Sequence, residues 1–353
     1  MKQIQSLEDV KNINLDTESK RLFAASHEEI RNGLTTDIYF IRTLDILKEM
    51  RLDDTIVTAE IFARKEGVFA GINEVLDIMK DKEIELWAIE EGSSFKVKET
   101  LVRIRGKYRE FAIFESIILG CLASPSGWAT AAAEVKEACG DSSFTIFGTR
   151  HLHPAVSPVM ERAAIIGGAS GVSNILAAKK MGIEPMGTLP HASFLIAGDT
   201  LEVAKTYNRL MPSDHKRIVL IDTFKDEVEE TLRVAEALGK DLFAIRLDTP
   251  SERGGVSPAL VNEVRQHLDL NGYPWVKIFV SGGLYPEKIK SLKEAGADAF
   301  GVGSYISGAP AIDMTMDIKA VNDKPVAKRG RLPGIVENTK LIQLIDNLPK
   351  STE

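Results

Sequence analysis

The chain of 353 residues is 44% hydrophobic and 27% charged and has a formal net charge of −7, which excludes a largely disordered chain and argues against a general nucleic-acid-binding protein. Its polar start has the pattern of neither a signal nor a transit peptide, and no apolar run approaches the roughly 20 residues that span a bilayer. The two cysteines form no CxxC pair, so they support neither a disulfide framework nor a zinc cluster. We therefore expect a cytoplasmic protein that binds neither membranes nor nucleic acids.

The first part of the chain mixes strand and helix patterns. After a loosely ordered or helical lead-in over residues 1–30, the β-branched run 54–63 predicts a strand and residues 72–79 predict a helix. Residues 86–104 predict two short strands around a turn, and residues 111–122 and 129–138 have the composition of helices. These patterns indicate an N-terminal α+β domain with linker helices over residues 1–125.

From residue 144 onward, short apolar runs alternate with amphipathic helices. The runs are 144–147, 186–189, 218–221, 242–247, 276–280 and 299–302, and the helices are 155–166, 174–181, 200–209, 225–238, 258–268 and 286–295. Such alternation is typical of βαβ units and a parallel sheet. With room for one more strand near 171–172, it predicts an incomplete (β/α) barrel over residues 126–310, with a doubly wound sheet as the rival fold. Residues 311–353 end in a predicted helix at 338–348 and are expected to pack back on the N-terminal domain.

Polar residues follow the predicted strand ends. In a parallel α/β barrel, binding and catalytic residues collect at the carboxyl ends of the strands. Here those ends carry Phe147, Thr149, Arg150, His191, Asp222, Arg246 and Asp248. Six polar or glycine-rich ends in series indicate a site.

Each of these side chains has both a functional and a structural interpretation. Arg150 could clamp a carboxylate or a phosphate, or lie free on the surface. His191 is either a catalytic or a hydrogen-bonded structural histidine. Asp222 and Asp248 could hold ribose hydroxyls or a divalent ion, and Asp222 could equally cap a helix. Arg246 lies two residues before Asp248 on one strand, so both side chains point to the same side.

The last two strand ends are the most specific. Ser281, Gly282 and Gly283 follow one strand, and Gly301, Gly303 and Ser304 belong to the next, one helix later. Loops after the last two strands of a barrel commonly bind phosphate, because glycines let backbone N–H groups approach the anion. The alternative is that these glycines only form tight turns.

Two further clusters are less specific. His151 and His153 alternate around Leu152, but without a third ligand they give little support for a metal site. Near the N-terminus, Asp37 and Tyr39 fit a helix cap followed by core packing, or an aromatic face for a planar ligand.

The ordered series of these motifs, from Thr36-Asp37-Ile38-Tyr39 to Gly301-Val302-Gly303-Ser304, resembles the nicotinate phosphoribosyltransferase family of type II phosphoribosyltransferases over residues 35–334. The resemblance implies transfer of 5-phosphoribosyl from phosphoribosyl pyrophosphate to nicotinate, with Mg²⁺, giving nicotinate mononucleotide and pyrophosphate in NAD salvage. It also implies coupling to ATP through phosphorylation of His191. Homodimers, or higher oligomers, with active sites shared between subunits are the expected assembly.

The same resemblance implies roles for individual residues. Tyr39 of one subunit, with Asp37 beside it, would stack on the pyridine ring opposite Phe147 of the partner subunit. Thr149 would lie by the ring, and Arg150 by the ring and its acidic substituent or by the nearby phosphate. Asp248 would hold the ribose hydroxyls and could hold Mg²⁺, and Arg246 would contact the pyrophosphate or the phosphate. Asp222 is counted with the catalytic residues, and the 5-phosphate is assigned to Ser281, Gly282, Gly283, Gly301, Gly303 and Ser304.

Three alternatives stay open at this point. They are a quinolinate phosphoribosyltransferase, a barrel lyase or isomerase acting on a phosphorylated metabolite, and a catalytically silent metabolite-binding protein.

Overall fold

The computed structural model describes residues 3–13 and 22–349. In chain order the strands are β1 Ile56–Ala63, β2 Gly67–Val68, β3 Ile84–Ala88, β4 Ser94–Phe95, β5 Thr100–Lys107, β6 Ser143–Ile146, β7 Gly171–Val172, β8 Arg217–Leu220, β9 Leu242–Leu247, β10 Lys277–Ser281, β11 Ala299–Val302, β12 Met314–Val321, β13 Lys324–Pro325 and β14 Ile342–Asp346.

The α-helices are α1 Leu7–Lys11, α2 His27–Arg31, α3 Ile38–Glu49, α4 Ile72–Met79, α5 Tyr108–Phe111, α6 Glu115–Cys139, α7 Ser157–Ile166, α8 Ile175–Lys180, α9 His191–Ala197, α10 Thr200–Leu210, α11 Glu227–Leu238, α12 Pro258–Leu270, α13 Pro286–Glu294 and α14 Ser304–Ser307. The predicted lead-in thus contains two short helices, while part of it lies outside the described residues. The chain divides into two compact units, one of residues 1–130 with 310–353 and one of residues 131–309.

The first unit is built on an antiparallel sheet with the strand order β13-β12-β1-β5-β3-β14. Burial along β3 alternates strictly, as expected for a strand with one face toward a core. That core joins buried residues of the sheet, such as Ile61 and Leu86, to residues of α3 and α4, such as Ile41 and Val75. This is the expected α+β architecture.

The predicted helix at 338–348 is wrong. Residues Ile342–Asp346 form β14, which pairs antiparallel with β3, so that Ile342 lies opposite Ala88 and Asp346 opposite Glu85. The backbone of β3 offers an open edge there, and pairing with it outweighs the local helix propensity of the segment.

The second unit is built on a parallel sheet with the strand order β7-β6-β11-β10-β9-β8. Helices α7 to α13 lie between its strands along the chain, with α8, α9 and α10 all between β7 and β8. The sheet is an incomplete barrel, which confirms the predicted fold class, and the carboxyl ends of its six strands share one edge.

The predicted strand at 186–189 does not form. Met186 N donates a backbone hydrogen bond to Val172 O at 2.8 Å, but no ladder follows. Pro185 and Pro190 flank the segment, and proline has no N–H to continue a ladder. The barrel is therefore interrupted between β7 and β8, and His191 begins helix α9 instead of following a strand.

One helical stretch, Tyr108–Cys139, is long and apolar enough to cross a membrane by length and composition. One such helix is weak evidence for a membrane span, because 61% of its most apolar window is buried inside the protein, which is typical of a core helix.

Candidate active site

An open cleft of about 370 Å³ lies at the carboxyl ends of the parallel strands in the second unit. Its lining residues are Phe147, Thr149, Arg150, His151, Ser173, Gly187, Thr188, Pro190, Arg246, Asp248, Ser281, Gly282, Gly283, Gly301, Gly303 and Ser304. The cleft thus brings together eleven of the residues singled out in the sequence. The others that line it, including His151, Ser173 and Thr188, were not assigned a role there.

A hydrogen-bonded network fixes the floor of the cleft. Arg246 Nη2 donates to Asp248 Oδ2 at 2.7 Å, and Arg246 Nε donates to Ser281 Oγ at 2.8 Å. Ser281 Oγ in turn donates to Asp248 Oδ1 at 2.9 Å. Arg246 also reaches Thr188 Oγ1 at 2.6 Å, which anchors the segment that fails to form a strand. Burial lowers the pKa of Arg246, with Asp248 and Asp222 opposing the shift, and the guanidinium stays charged.

Asp222 and His191 lie next to this network. Asp222 Oδ2 accepts a hydrogen bond from Asp248 N at 2.7 Å, and its Oδ1 is buried without a hydrogen-bond partner. His191 Nε2 lies 3.9 Å from Asp222 Oδ1 and 3.8 Å from Asp248 Oδ2, while Nδ1 is 3.1 Å from Thr223 Oγ1. Burial raises the pKa of Asp222, and a protonated His191 would favour its ionised form. The imidazole is therefore placed between two carboxylates.

At three glycines of the cleft, a neighbouring group packs so closely that a residue with a Cβ would not fit. Gly282 has φ +92°, and a Cβ there would meet Asp248 Oδ1 at 2.9 Å. At Gly301 a Cβ would lie 2.4 Å from Phe147 Cε2, so the aromatic ring rests directly on this glycine. At Gly303 a Cβ would meet His151 Cε1 at 2.9 Å. Glycine is therefore needed at each of these positions, and all three glycines line the cleft, as a phosphate-binding loop would.

The turn Thr149–His151 is held by a buried acid that the sequence analysis missed. Glu161 on α7 is fully buried and accepts hydrogen bonds from Thr149 Oγ1, from Ser173 Oγ at 3.0 Å and from Asn174 N at 2.8 Å. It therefore ties two of the loops that line the cleft. Arg150, on the turn so anchored, is exposed and makes no ion pair with the described residues.

His151 is the second residue that the sequence analysis left without a role in this cleft. Its Nδ1 lies 2.8 Å from Ser307 Oγ on α14. Partial burial, and then the charge of Arg150, hold the pKa of His151 below its usual range. Gly303 was the one sequence feature that could have indicated this contact, because the imidazole packs where a larger residue would carry its Cβ.

Tyr39 and Asp37 belong to the first unit. Tyr39 lies on α3, is 54% exposed, and has its ring centroid 4.2 Å from that of Phe40. Asp37 is the N-cap residue of α3 but caps it with no side-chain hydrogen bond; instead it accepts one from Ser116 Oγ. Burial, Asp37 and Glu115 raise the pKa of Tyr39. The phenol is thus neutral and available for stacking.

The cleft has the groups needed to bind a phosphorylated sugar. Glycine loops offer backbone N–H groups to an anion, Asp248 offers carboxylate oxygens to hydroxyls or a hard cation, and Phe147 offers an aromatic face. Within the described part of the chain, no group of three or more His, Cys, Asp or Glu side chains is arranged to hold a metal ion. A metal here would need ligands from the substrate.

Two family models match adjoining parts of the chain. "Quinolinate phosphoribosyl transferase, N-terminal domain" matches residues 37–126, and "Quinolinate phosphoribosyl transferase, C-terminal domain" matches residues 128–317. The second match alone covers more than half of the chain and contains all the residues that line the cleft.

Named proteins of two kinds are similar to the chain. Nicotinate phosphoribosyltransferase pncB1 of Mycobacterium tuberculosis is 26% identical over 342 residues, covering 84% of this chain and 74% of that protein. The carboxylating nicotinate-nucleotide pyrophosphorylase of Homo sapiens is 24% identical over 273 residues, covering 76% and 85%. The crystal structure of nicotinate-nucleotide pyrophosphorylase from Pyrococcus furiosus is 42% identical, with a TM-score of 0.87, covering 93% of this chain and 87% of that one.

Proposed function

The chain belongs to the type II phosphoribosyltransferase family, and on that premise we propose that it transfers the 5-phosphoribosyl group of phosphoribosyl pyrophosphate to nicotinate, giving nicotinate mononucleotide and pyrophosphate. It is an enzyme of NAD biosynthesis. Nicotinate, rather than a related pyridine, is the finer part of the proposal.

The observation that supports nicotinate is the balance of charge along the cleft. Arg246 is paired with Asp248, and the lowered pKa of His151 keeps its imidazole neutral near pH 7. Arg150 is then the uncommitted cation among the described lining residues. One guanidinium suits the single carboxylate of nicotinate, whereas quinolinate carries two. Nicotinamide has none, and it would leave Arg150 without a partner.

Quinolinate is the second candidate because relatives of both kinds match the chain. The carboxylating human relative and both family models point to it. The charge balance of the cleft favours nicotinate over it.

The residues of the cleft supply the chemistry of the transfer. The ring nitrogen attacks C1 of the ribose, the C1–O bond breaks, and pyrophosphate leaves with the electron pair. Phe147 would hold the flat base and Asp248 the ribose hydroxyls, while Thr149 and Arg150 orient the ring. Arg246 would neutralise charge on the leaving pyrophosphate, and the glycine loops would fix the 5-phosphate.

The carboxylates at the cleft would suit Mg²⁺ that is bound together with the substrate. Asp248 and the partnerless Oδ1 of Asp222 are hard oxygen donors, and Mg²⁺ is commonly bound by one or two carboxylates together with substrate phosphates. When bound, it would neutralise charge on the pyrophosphate.

ATP coupling is proposed through His191. The imidazole begins α9, is partly exposed, and lies between the carboxylates of Asp222 and Asp248. A histidine in this setting is suited to carrying a phosphoryl group near the pyrophosphate.

The proposal includes an assembly and a setting. Exposed Tyr39 would complete the site of a second copy, so the working enzyme would be at least a homodimer, acting in the cytoplasm on small molecules alone.

The test is pyrophosphate release from phosphoribosyl pyrophosphate and Mg²⁺ with nicotinate, nicotinamide and quinolinate separately, each with and without ATP. We expect release with nicotinate and a faster rate with ATP. Release with quinolinate alone would replace the proposed substrate, and no release with any base would contradict the proposed reaction.

A further inference from the structure

His151 lies against the glycine loop that the proposed function assigns to the 5-phosphate. A Cβ at Gly303 would lie only 2.9 Å from His151 Cε1. His151 Nδ1 is 2.8 Å from Ser307 Oγ. Both His151 and Ser304 line the cleft. The imidazole is therefore fixed beside the loop through one nitrogen, which leaves the other nitrogen for a ligand.

The hydrogen bonds of Ser307 identify the tautomer. Ser307 Oγ donates to Gly303 O at 3.1 Å, so its lone pair accepts from Nδ1–H of His151. In the neutral ring the lone pair is then on Nε2, which has no hydrogen-bond partner in the described part of the chain. A lone pair repels a phosphate oxygen, whereas a protonated Nε2 donates to it.

The surroundings of His151 in the free cleft favour its neutral form. Partial burial and the adjacent Arg150 disfavour the imidazolium. The carboxylate of Glu161 on α7 is committed to its own three donors. On α14, burial and Glu134 raise the pKa of Tyr305 to about 12, so its phenol is uncharged. A bound phosphate dianion is the group that would reverse this balance.

We propose that His151 takes up a proton from solvent when a phosphate dianion enters the glycine loop, and that Nε2–H then donates a hydrogen bond to the 5-phosphate. This rests on the proposed function, which puts the 5-phosphate at Gly301, Gly303 and Ser304. Binding of the sugar phosphate is then linked to pH. It strengthens as pH falls toward 6.5, because less free energy is needed to protonate the ring.

The test is isothermal titration calorimetry with ribose 5-phosphate as the probe, on the full chain, at pH 6.5 and 8.0. Buffers of different ionisation heat at pH 7.2 give the proton uptake. His151→Gln removes the titrating ring, and His153→Gln is the matched control, because the neighbouring His153 is exposed and absent from the cleft lining. The protonation of the probe itself is common to all three proteins.

We expect the wild type and His153→Gln to take up a measurable fraction of a proton at pH 7.2 and His151→Gln to take up none. The ratio of the affinities at pH 6.5 and 8.0 should be a few-fold larger with His151 present, since a pKa rise of about one unit gives at most about 10-fold over the whole titration. Equal pH dependence and equal uptake in wild type and His151→Gln would overturn the proposal. If His151→Gln does not fold, binding by the wild type without proton uptake at pH 7.2 overturns it alone. Failure of the wild type to bind ribose 5-phosphate would instead contradict the proposed function.

Discussion

Asp222 Oδ2 accepts a hydrogen bond from the backbone N of Asp248 at 2.7 Å, which ties the ends of the neighbouring strands β8 and β9. The side chain of Asp222, which follows β8, thus holds the backbone of Asp248, which follows β9. Since Asp248 also binds Arg246 and Ser281, the position of the floor of the cleft depends on this single carboxylate.

Replacing Asp222 by alanine should therefore disturb both stability and activity. Asp222→Ala leaves the partly buried N–H of Asp248 without its acceptor, which costs about 1 kcal/mol or more, and should lower kcat/KM at least about 10-fold. Asp222→Asn keeps an amide oxygen for this bond and should recover most of the stability. Urea unfolding and pyrophosphate release measure the two effects. An Asp222→Ala variant with the same free energy of unfolding as the wild type would show that this hydrogen bond does not contribute to stability.

Adding a methyl group at Gly303 should weaken sugar-phosphate binding. The new Cβ would lie 2.9 Å from His151 Cε1 and 3.0 Å from Phe147 O, closer than either contact tolerates. We expect the Kd for ribose 5-phosphate to rise roughly 10-fold or more, as for a displaced loop in a preformed site. Gly187→Ala is the control, because Gly187 lines the same cleft and a Cβ there meets nothing within 4 Å. Equal loss in both variants would mean that general crowding, not the contact with His151, sets the effect.

The stability of the first unit should depend on the ionisation of Glu115. Burial and then Asp317 raise the pKa of this carboxyl to about 7, with Lys328 opposing the shift. Between the unfolded value near 4.5 and about 7, the folded state binds more protons than the unfolded state. Stability should therefore fall as pH rises through this window, and the full penalty is present above pH 7.

Glu115→Gln removes that penalty because glutamine resembles the protonated acid. We expect the variant to gain on the order of 1 kcal/mol over the wild type at pH 8 and almost nothing at pH 4. Urea unfolding at both pH values is the measurement, with Glu49→Gln on the exposed end of α3 as the control. A gain that is the same at both pH values would contradict the raised pKa.

Mixing two inactive variants tests whether active sites are shared between subunits. Tyr39→Ala and Asp248→Asn remove groups from the two different units of the chain. If Tyr39 completes the site of a partner, a mixed dimer carries one intact site, and equal mixing should restore roughly a quarter of the wild-type sites. Pyrophosphate release after unfolding and refolding the variants together is the assay. No recovery, with mixed dimers verified by mass spectrometry, would place Tyr39 in its own subunit's site or in none.

Much of the fold could be predicted because burial leaves a clear pattern. Residues 242–247 and 299–302 are predicted strands that match β9 and β11 to the residue, since buried parallel strands are continuous apolar runs. Helix α4 likewise covers the predicted residues 72–79. The two failed predictions have different causes. The segment 342–346 forms a strand because it pairs with β3, which is distant in the chain, whereas residues 186–189 form no ladder because prolines flank them.

The site could be predicted less completely for a similar reason. Site residues at strand ends, such as Asp248, can be predicted because the carboxyl ends of parallel strands meet at one edge of the sheet. Glu161 lies within a helix, and nothing in its neighbourhood along the sequence indicates that it is buried under Thr149 and Ser173. The role of His151 depends on Ser307, which is 156 residues away. Contacts of this kind follow only from the folded chain.

The most direct test of the central claim is a competition assay. The enzyme would receive phosphoribosyl pyrophosphate, Mg²⁺, ATP and an equimolar mixture of nicotinate, nicotinamide and quinolinate, and mass spectrometry would identify the products as they form. The charge balance around Arg150 predicts that nicotinate is consumed, that nicotinate mononucleotide and pyrophosphate accumulate in equal amounts, and that quinolinate persists. Consumption of quinolinate with release of carbon dioxide, while nicotinate persists, would contradict the account.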